Sequence, residues 1–248
     1  WVPTLAESWE FDEENLEYTI HLRRGVKWHP IKLPNGKVLE GKELTARDVL
    51  FTFAAIMNPG TEATSLRSYY VNEDAESEED RNRIEVSASD NYTVKIKWRE
   101  PYFLADDFTL GAYIIPRHVY GADKNGELIT LDFTSQEFAQ AFNDHWANDR
   151  MCGTGPVIFQ AWEKNQQCRL ERNPDYWGHP FYFSEMIFQY DSNPNTVLQK
   201  LLQNKLDWAS IPEKDHYVQI KDDPAVKDGK LIPKAFDVTA YRYLGYNL

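Results

Sequence analysis

The sequence predicts a mixed α/β protein, of the α+β kind in which strands and helices alternate without a repeat. Three observations predict it. Tyr18, Ile20 and Leu22 alternate with Thr19, His21 and Arg23, the period of a strand with one wet face. Val49, Leu50, Phe53 and Met57 recur at helical spacing behind Thr45-Ala46-Arg47-Asp48, a capping-box start with Asp in place of the usual Glu. Strand-like and helix-like stretches then keep trading places along the chain, which argues for packed layers of both.

In order, residues 7–23 read as two strands around the acidic turn Asp12-Glu13-Glu14-Asn15, and Gly25 ends the second. Residues 30–41 hold Pro34, Asn35 and Gly36 and read as a turn-rich loop. The helix that begins at Thr45 ends at Asn58-Pro59-Gly60. Residues 73–80 carry Glu73, Asp74, Glu76, Glu78, Glu79 and Asp80. With no glycine and no EF-hand spacing, they read as a solvated, mobile loop in preference to a calcium site. Residues 84–88 and 92–98 form a hairpin around Asp90-Asn91. Residues 101–120 mix helix and strand, with Pro116 opening a short helix. Thr134-Ser135-Gln136-Glu137 is a second capping box, and Phe138, Ala141, Phe142 and His145 line the face that follows.

The composition then shifts, and Gly153-Thr154-Gly155-Pro156 reads as a flexible joint. Beyond it, residues 157–162 and 167–172 form a hairpin with Lys164-Asn165 at the tip, and residues 183–190 a further strand. Asn193-Pro194 supplies an N-cap and a first-turn proline for a helix bearing Val197, Leu198, Leu201 and Leu202. Asp207-Trp208-Ala209 reads as a strand, residues 213–220 as a short helix, and residues 231–236 and 241–247 as strands. In this register Cys168 faces roughly Ala161, so Cys152 lies about 30 Å away if the chain is extended. A disulfide needs Cα atoms within ~7 Å, so no bond between the two cysteines is expected.

Composition narrows the function. The chain has 248 residues, 42 % of them hydrophobic and 27 % charged, enough for one or two globular domains. With 27 Lys and Arg against 39 Asp and Glu, the net charge is −12, which disfavours nucleic acid as a partner. No apolar run approaches the ~20 residues of a membrane-spanning helix. Phe, Tyr and Trp make up 14 % of the chain, material for a core or for a site that takes peptides or sugars. No P-loop, G-x-S-x-G, H-E-x-x-H, G-x-G-x-x-G or C-x-x-C is present, and no histidine stands at zinc-ligand spacing. The expectation is therefore a binding protein and not an enzyme, with no cofactor, no catalytic residue and no metal site. The chain opens on Trp1 and closes on the strand-like Tyr246-Asn247-Leu248, and is read as a piece of something longer.

The order of several motifs resembles the family 5 extracellular solute-binding proteins, the oligopeptide- and dipeptide-binding components of ABC importers. Val2-Pro3-Thr4-Leu5-Ala6-Glu7-Ser8-Trp9-Glu10 is similar to the family's opening, and residues 18–29 (YTIHLRRGVKWH) to its Y-T-F-x-L-R-x-G-V-K segment. Leu44-Thr45-Ala46-Arg47-Asp48-Val49 resembles L-T-A-x-D-V. Gly153 to Pro156, residues 170–178 (LERNPDYWG), residues 191–209 and Tyr243-Leu244-Gly245-Tyr246-Asn247 follow in the family's order, with Asn204 near a usual glycine. Residues 30–43 are longer than the family's pattern, and the acidic loop is a local elaboration.

The resemblance implies a periplasmic-binding-protein-like fold of type II. Residues 1–150 would be the accessory domain of a first lobe and residues 151–248 part of its central domain, ending near the hinge, with the second lobe absent. It implies capture of a peptide or other small solute for an ABC permease, by a monomer in the periplasm or outside the cell, with lipid anchoring to the membrane as one form. Trp208, Ala209, Ser210, Tyr243 and Gly245 match cleft-facing positions, and Tyr69 or Tyr70 an accessory-domain aromatic near the ligand. Trp208 and Tyr243 are read equally as ligand contacts or core. Trp9, Trp28, Trp162 and Trp177 read as scaffold. An oligosaccharide, opine or metal chelate in the same architecture is the alternative ligand. A glycoside hydrolase or other enzyme domain, and the sensing domain of a regulator, are the remaining classes. The piece alone is expected to bind ligand weakly.

Overall fold

Four strands build the main sheet, in the order β1-β2-β6-β5, each antiparallel to its neighbour. They are β1 (Ala6–Asp12), β2 (Glu17–Leu22), β5 (Ile84–Ala88) and β6 (Thr93–Trp98). The computed structural model describes residues 1–77, 81–129, 132–210 and 214–234. The β1–β2 turn is set by Asp12, whose carboxylate accepts from the backbone N–H of Glu14 and Asn15 at 3.0 Å each, and by Leu16 at φ 54°. The alternation read from β2 is realised: Tyr18, Ile20 and Leu22 are all buried. Across the ladder Ile20 faces Val94 and Tyr18 faces Ile96, both also buried.

That face packs on α1 (Ala46–Met57), whose Val49 and Phe53 enter the same cluster. Its start is organised by Asp48, a carboxylate only 5 % exposed. One oxygen accepts from the Thr45 backbone N–H at 2.9 Å, the reciprocal half of a capping box. The other accepts from the backbone N–H of Arg117 at 2.9 Å, the first residue of α4 (Arg117–Tyr120). The Thr52 hydroxyl donates to the Asp48 carbonyl at 2.8 Å and accepts from the Ile115 N–H at 3.0 Å. On its other side α1 buries Phe51 and Ala55 against Phe138 of α5 (Gln136–Asn143). The apolar stripe read from the sequence had only the sheet-facing half of this doubly buried helix.

Helix α5 begins one residue later than its capping box predicts. Ser135 is the N-cap, its hydroxyl accepting from the Phe138 N–H at 3.0 Å. The Thr134 hydroxyl is engaged by Asp132 at 2.9 Å, so Glu137 falls at the second helical position and no box closes. The turn-rich loop contains a small hairpin, β3 (Ile31–Lys32) with β4 (Val38–Leu39). Helices α2 (Thr64–Tyr70) and α3 (Ala105–Leu110) complete this part.

The Gly153–Pro156 segment is tied down where flexibility was expected. The His29 backbone N–H donates to the Gly153 carbonyl at 2.7 Å and the His29 Nε2 to that of Gly155 at 2.8 Å. The Trp177 indole N–H donates to Thr154 at 3.0 Å, and the Asn173 amide to Gly155 at 3.1 Å.

A second sheet follows, ordered β7 (Val157–Glu163), β8 (Gln167–Arg172), β9 (Glu185–Gln189). Trp162 faces Cys168, one place on from the expected Ala161, because the turn between Glu163 and Gln167 holds three residues, with Asn165 at φ 62°, and not two. Both cysteines are free thiols. Trp162, read as scaffold, is half exposed, whereas Trp28 is buried and Trp9 packs on the core.

The described chain divides into two compact units, residues 1–163 with 167–188, and residues 164–166 with those from 189 on. In the second, α6 (Pro194–Leu202) is capped by Asn193, which accepts from the Asn195 N–H at 2.9 Å. Leu198 and Leu201 of α6 and Ile220 of α7 (Lys214–Ile220) are buried, and a short α8 (Pro224–Lys227) follows. Among the described residues no helix is long and apolar enough to cross a membrane.

Candidate functional site

Helix α6 ends in a turn with Asn204 at φ 58°, a left-handed conformation that asparagine tolerates better than most residues. The Lys205 N–H closes it on the Lys200 carbonyl at 2.8 Å. The chain then runs on through Asp207, Trp208, Ala209 and Ser210, and the strand expected there joins no ladder among the described residues. Trp208 is 77 % exposed, Ala209 half-buried and Ser210 exposed. An indole that far in solvent buries little apolar area within its own unit and is free to stack on a solute. Tyr243 and Gly245 lie outside the described residues.

Tyr69 and Tyr70 end α2 and point to different environments. Tyr70 is 2 % exposed, and its hydroxyl donates to the Phe108 carbonyl at 2.7 Å. Phe53 meets its ring edge-on at 5.3 Å, and burial pushes its phenol up to about 12. This ring is core. Tyr69 is half-buried and stacks on Phe108 with centroids 3.7 Å apart, keeping part of its ring in solvent. Phe108, on α3, is the partner that sequence reading missed. Its place two residues before the Leu110–Ile115 apolar run was the available signal.

Burial shifts four titratable groups of this part of the chain. Burial lowers His29, His118 and His145 below the ordinary imidazole range, and the rings of His29 and His145 contact the Gly155 and Ala122 carbonyls. Burial pushes the Cys152 thiol up to about 12, so it stays protonated, bonded to the His29 carbonyl at 3.2 Å. No group of three or more His, Cys, Asp or Glu side chains that could hold a metal ion occurs among the described residues. In the acidic loop Glu73 pairs with Arg67 at 3.1 Å, and residues 78–80 lie outside the described residues.

Comparison with known proteins agrees with this picture. The chain is 30 % identical over 225 residues to Di/tripeptide-binding protein 2 of Pseudomonas aeruginosa, an alignment covering 90 % of this chain and 39 % of that protein. It therefore spans about two-fifths of the length of the curated relatives it matches. The fold matches NikZ of Campylobacter jejuni in complex with Ni(L-His), with a TM-score of 0.64 and 23 % identity, covering 90 % of this chain and 37 % of NikZ. It also matches the periplasmic binding protein DppA of Helicobacter pylori in complex with the peptide STSA. There the TM-score is 0.60 and the identity 24 %, with 90 % of this chain and 40 % of DppA covered. The architecture is accordingly that of the type II periplasmic binding proteins. The model of the bacterial extracellular solute-binding proteins, family 5 Middle, matches residues 1–248, and the chain belongs to that family.

Proposed function

We propose that this chain is the first-lobe portion of a protein that captures peptides outside the cytoplasmic membrane and passes them to an ABC permease. The observation that carries the reading is the 30 % identity, along 90 % of the chain, to a protein named for di- and tripeptides. In this reading residues 1–150 form the accessory domain and residues 151–248 part of the central domain. Trp208, Ala209 and Ser210 touch the ligand, Tyr243 and Gly245 lie at the strand entering the hinge, and Tyr69 rather than the enclosed Tyr70 offers the accessory aromatic. The protein acts as a monomer and catalyses no reaction. It works in the periplasm or tethered to the membrane by a lipid. An extended peptide suits such a cleft, since its backbone can be paired as in strand addition while aromatic pockets tolerate varied side chains. Closure is a hinge motion that the ligand biases by binding the closed form more tightly.

A metal chelate is the second reading, because the fold neighbour NikZ holds Ni(L-His). Native mass spectrometry of the full-length protein, purified gently from its own compartment, separates the two. A ladder of adducts at amino-acid mass spacings supports peptide capture. A single chelate mass overturns it and leaves the architecture standing.

A further inference from the structure

At one end of the main sheet lies a cavity of about 350 Å³. Its wall is aromatic: Phe11 of β1, Tyr18 of β2, Trp98 of β6, then Tyr102 and Phe103 from the turn after β6. These rings brace one another. Phe11 lies 4.5 Å from Tyr18, Tyr102 is stacked 5.2 Å from Trp98, and Phe103 meets Tyr102 at 5.4 Å. Two of them reach solvent, Phe11 at 44 % and Phe103 at 88 % exposure.

Three carboxylates, Glu13, Glu100 and Asp106, line the same cavity, and among the described residues that line it there is no Lys, Arg or His. Asp106 is oriented by the Tyr18 hydroxyl, which donates to it at 2.5 Å. Glu100 has Arg83 at 4.0 Å, at the limit of an ion pair, and its side chain is 70 % exposed.

The two features select one chemistry. Aromatic faces and carboxylates are both negative, so anions are repelled. A neutral apolar solute gains only from the rings. A small metal ion keeps its water in preference to an aromatic wall. An organic cation, with diffuse charge on an apolar body, gains from both at once. We propose that this cavity binds a small organic ammonium ion, with the cation against the Phe103, Tyr102 and Phe11 rings and its charge facing Glu13 and Glu100. The site lies wholly within the first unit and is independent of the peptide reading.

The test uses the full-length protein, freed of co-purified ligand, titrated calorimetrically with choline and with its uncharged isostere, in which tert-butyl replaces trimethylammonium. Saturable binding of choline, with the isostere at least tenfold weaker, is expected. Phe103→Ala should weaken choline by about two- to fivefold, the effect of one exposed ring. The double variant E13Q/E100Q should weaken it further and flatten its salt dependence. All three side chains are exposed, and unchanged melting temperatures verify that the variants fold. Failure of choline to saturate, equal binding of the isostere, or insensitivity to Phe103→Ala overturns the proposal. So does displacement of choline by added peptide, which would place it at the main ligand site.

Discussion

The imidazole of His29 holds the carbonyl oxygen of Gly155 at 2.8 Å, across 126 positions of sequence. Beside it the His29 backbone N–H holds Gly153 at 2.7 Å. One residue thus fixes both glycines of a segment whose composition promises freedom. The ring is 4 % exposed, so the bond is shielded from competing water and breaking it would strand a buried carbonyl. Residues 153–155 are therefore held in one geometry.

Three histidines, two buried and one half-buried, set a pH dependence. His29, His118 and His145 are all held below the ordinary value of 6.5, with burial as the largest cause. Their unfolded forms bind protons at a higher pH than their folded forms. Their contribution to stability is complete above pH 6.5 and is lost as pH falls through the lowered folded values. The melting temperature of the full-length protein should fall between about pH 7 and pH 5, before carboxylates titrate, and fall less steeply in His29→Gln. A flat profile across that range would contradict the assignment.

Gly41 answers to sterics. A Cβ there would lie 1.8 Å from the Trp28 carbonyl oxygen, a backbone atom that cannot swing aside. Gly41→Ala should cost at least about 2 kcal/mol in urea unfolding. Gly25 has open space but sits at φ +74°, so Gly25→Ala should cost about 1 kcal/mol through backbone strain alone.

Trp208→Ala is expected to separate binding from stability. Trp208 is 77 % exposed, so Trp208→Ala should change the melting free energy by less than about 0.5 kcal/mol. Peptide affinity of the full-length protein should nevertheless fall by about tenfold, measured by calorimetry, as for an aromatic anchor. Unaltered affinity would remove Trp208 from the ligand contacts.

Tyr70 should behave in the opposite way. Tyr70→Phe deletes the bond to the Phe108 carbonyl and should cost about 1–2 kcal/mol, with peptide affinity unmoved. If affinity drops while stability holds, the ring is not the core element its burial implies.

What was legible in the sequence followed from local rules. The alternation of β2 gave its buried face residue by residue, and Thr45 with Asp48 gave the start of α1. Asn193-Pro194 likewise marked the start of α6. What was hidden depends on partners distant in sequence. Composition cannot show that His29 and Trp177 claim the carbonyls of 153–155, nor that Phe138 covers the far side of α1. The α5 start was misplaced because Asp132, outside the motif, engages Thr134. At the candidate site, the family pattern led to Tyr69 and Tyr70 as a pair, and only packing distinguishes the enclosed ring from the half-open one.

The double engagement of Asp48 bears on the order of assembly. Helix α4 has four residues, far too few to persist alone, and its first N–H has its partner on α1, 69 positions earlier. Helix α1 has twelve residues and a local start signal, so of the two it carries the stronger nucleus. The acceptor that α4 needs is then already in place, and the loop-closure entropy of bringing residue 117 back is met in a single docking event. The Thr52 hydroxyl waits one turn further on to take the Ile115 N–H. Asp48 of the family's L-T-A-x-D-V stretch thus serves two helices at once: it caps α1 and anchors residues 115–120, which take their shape from it.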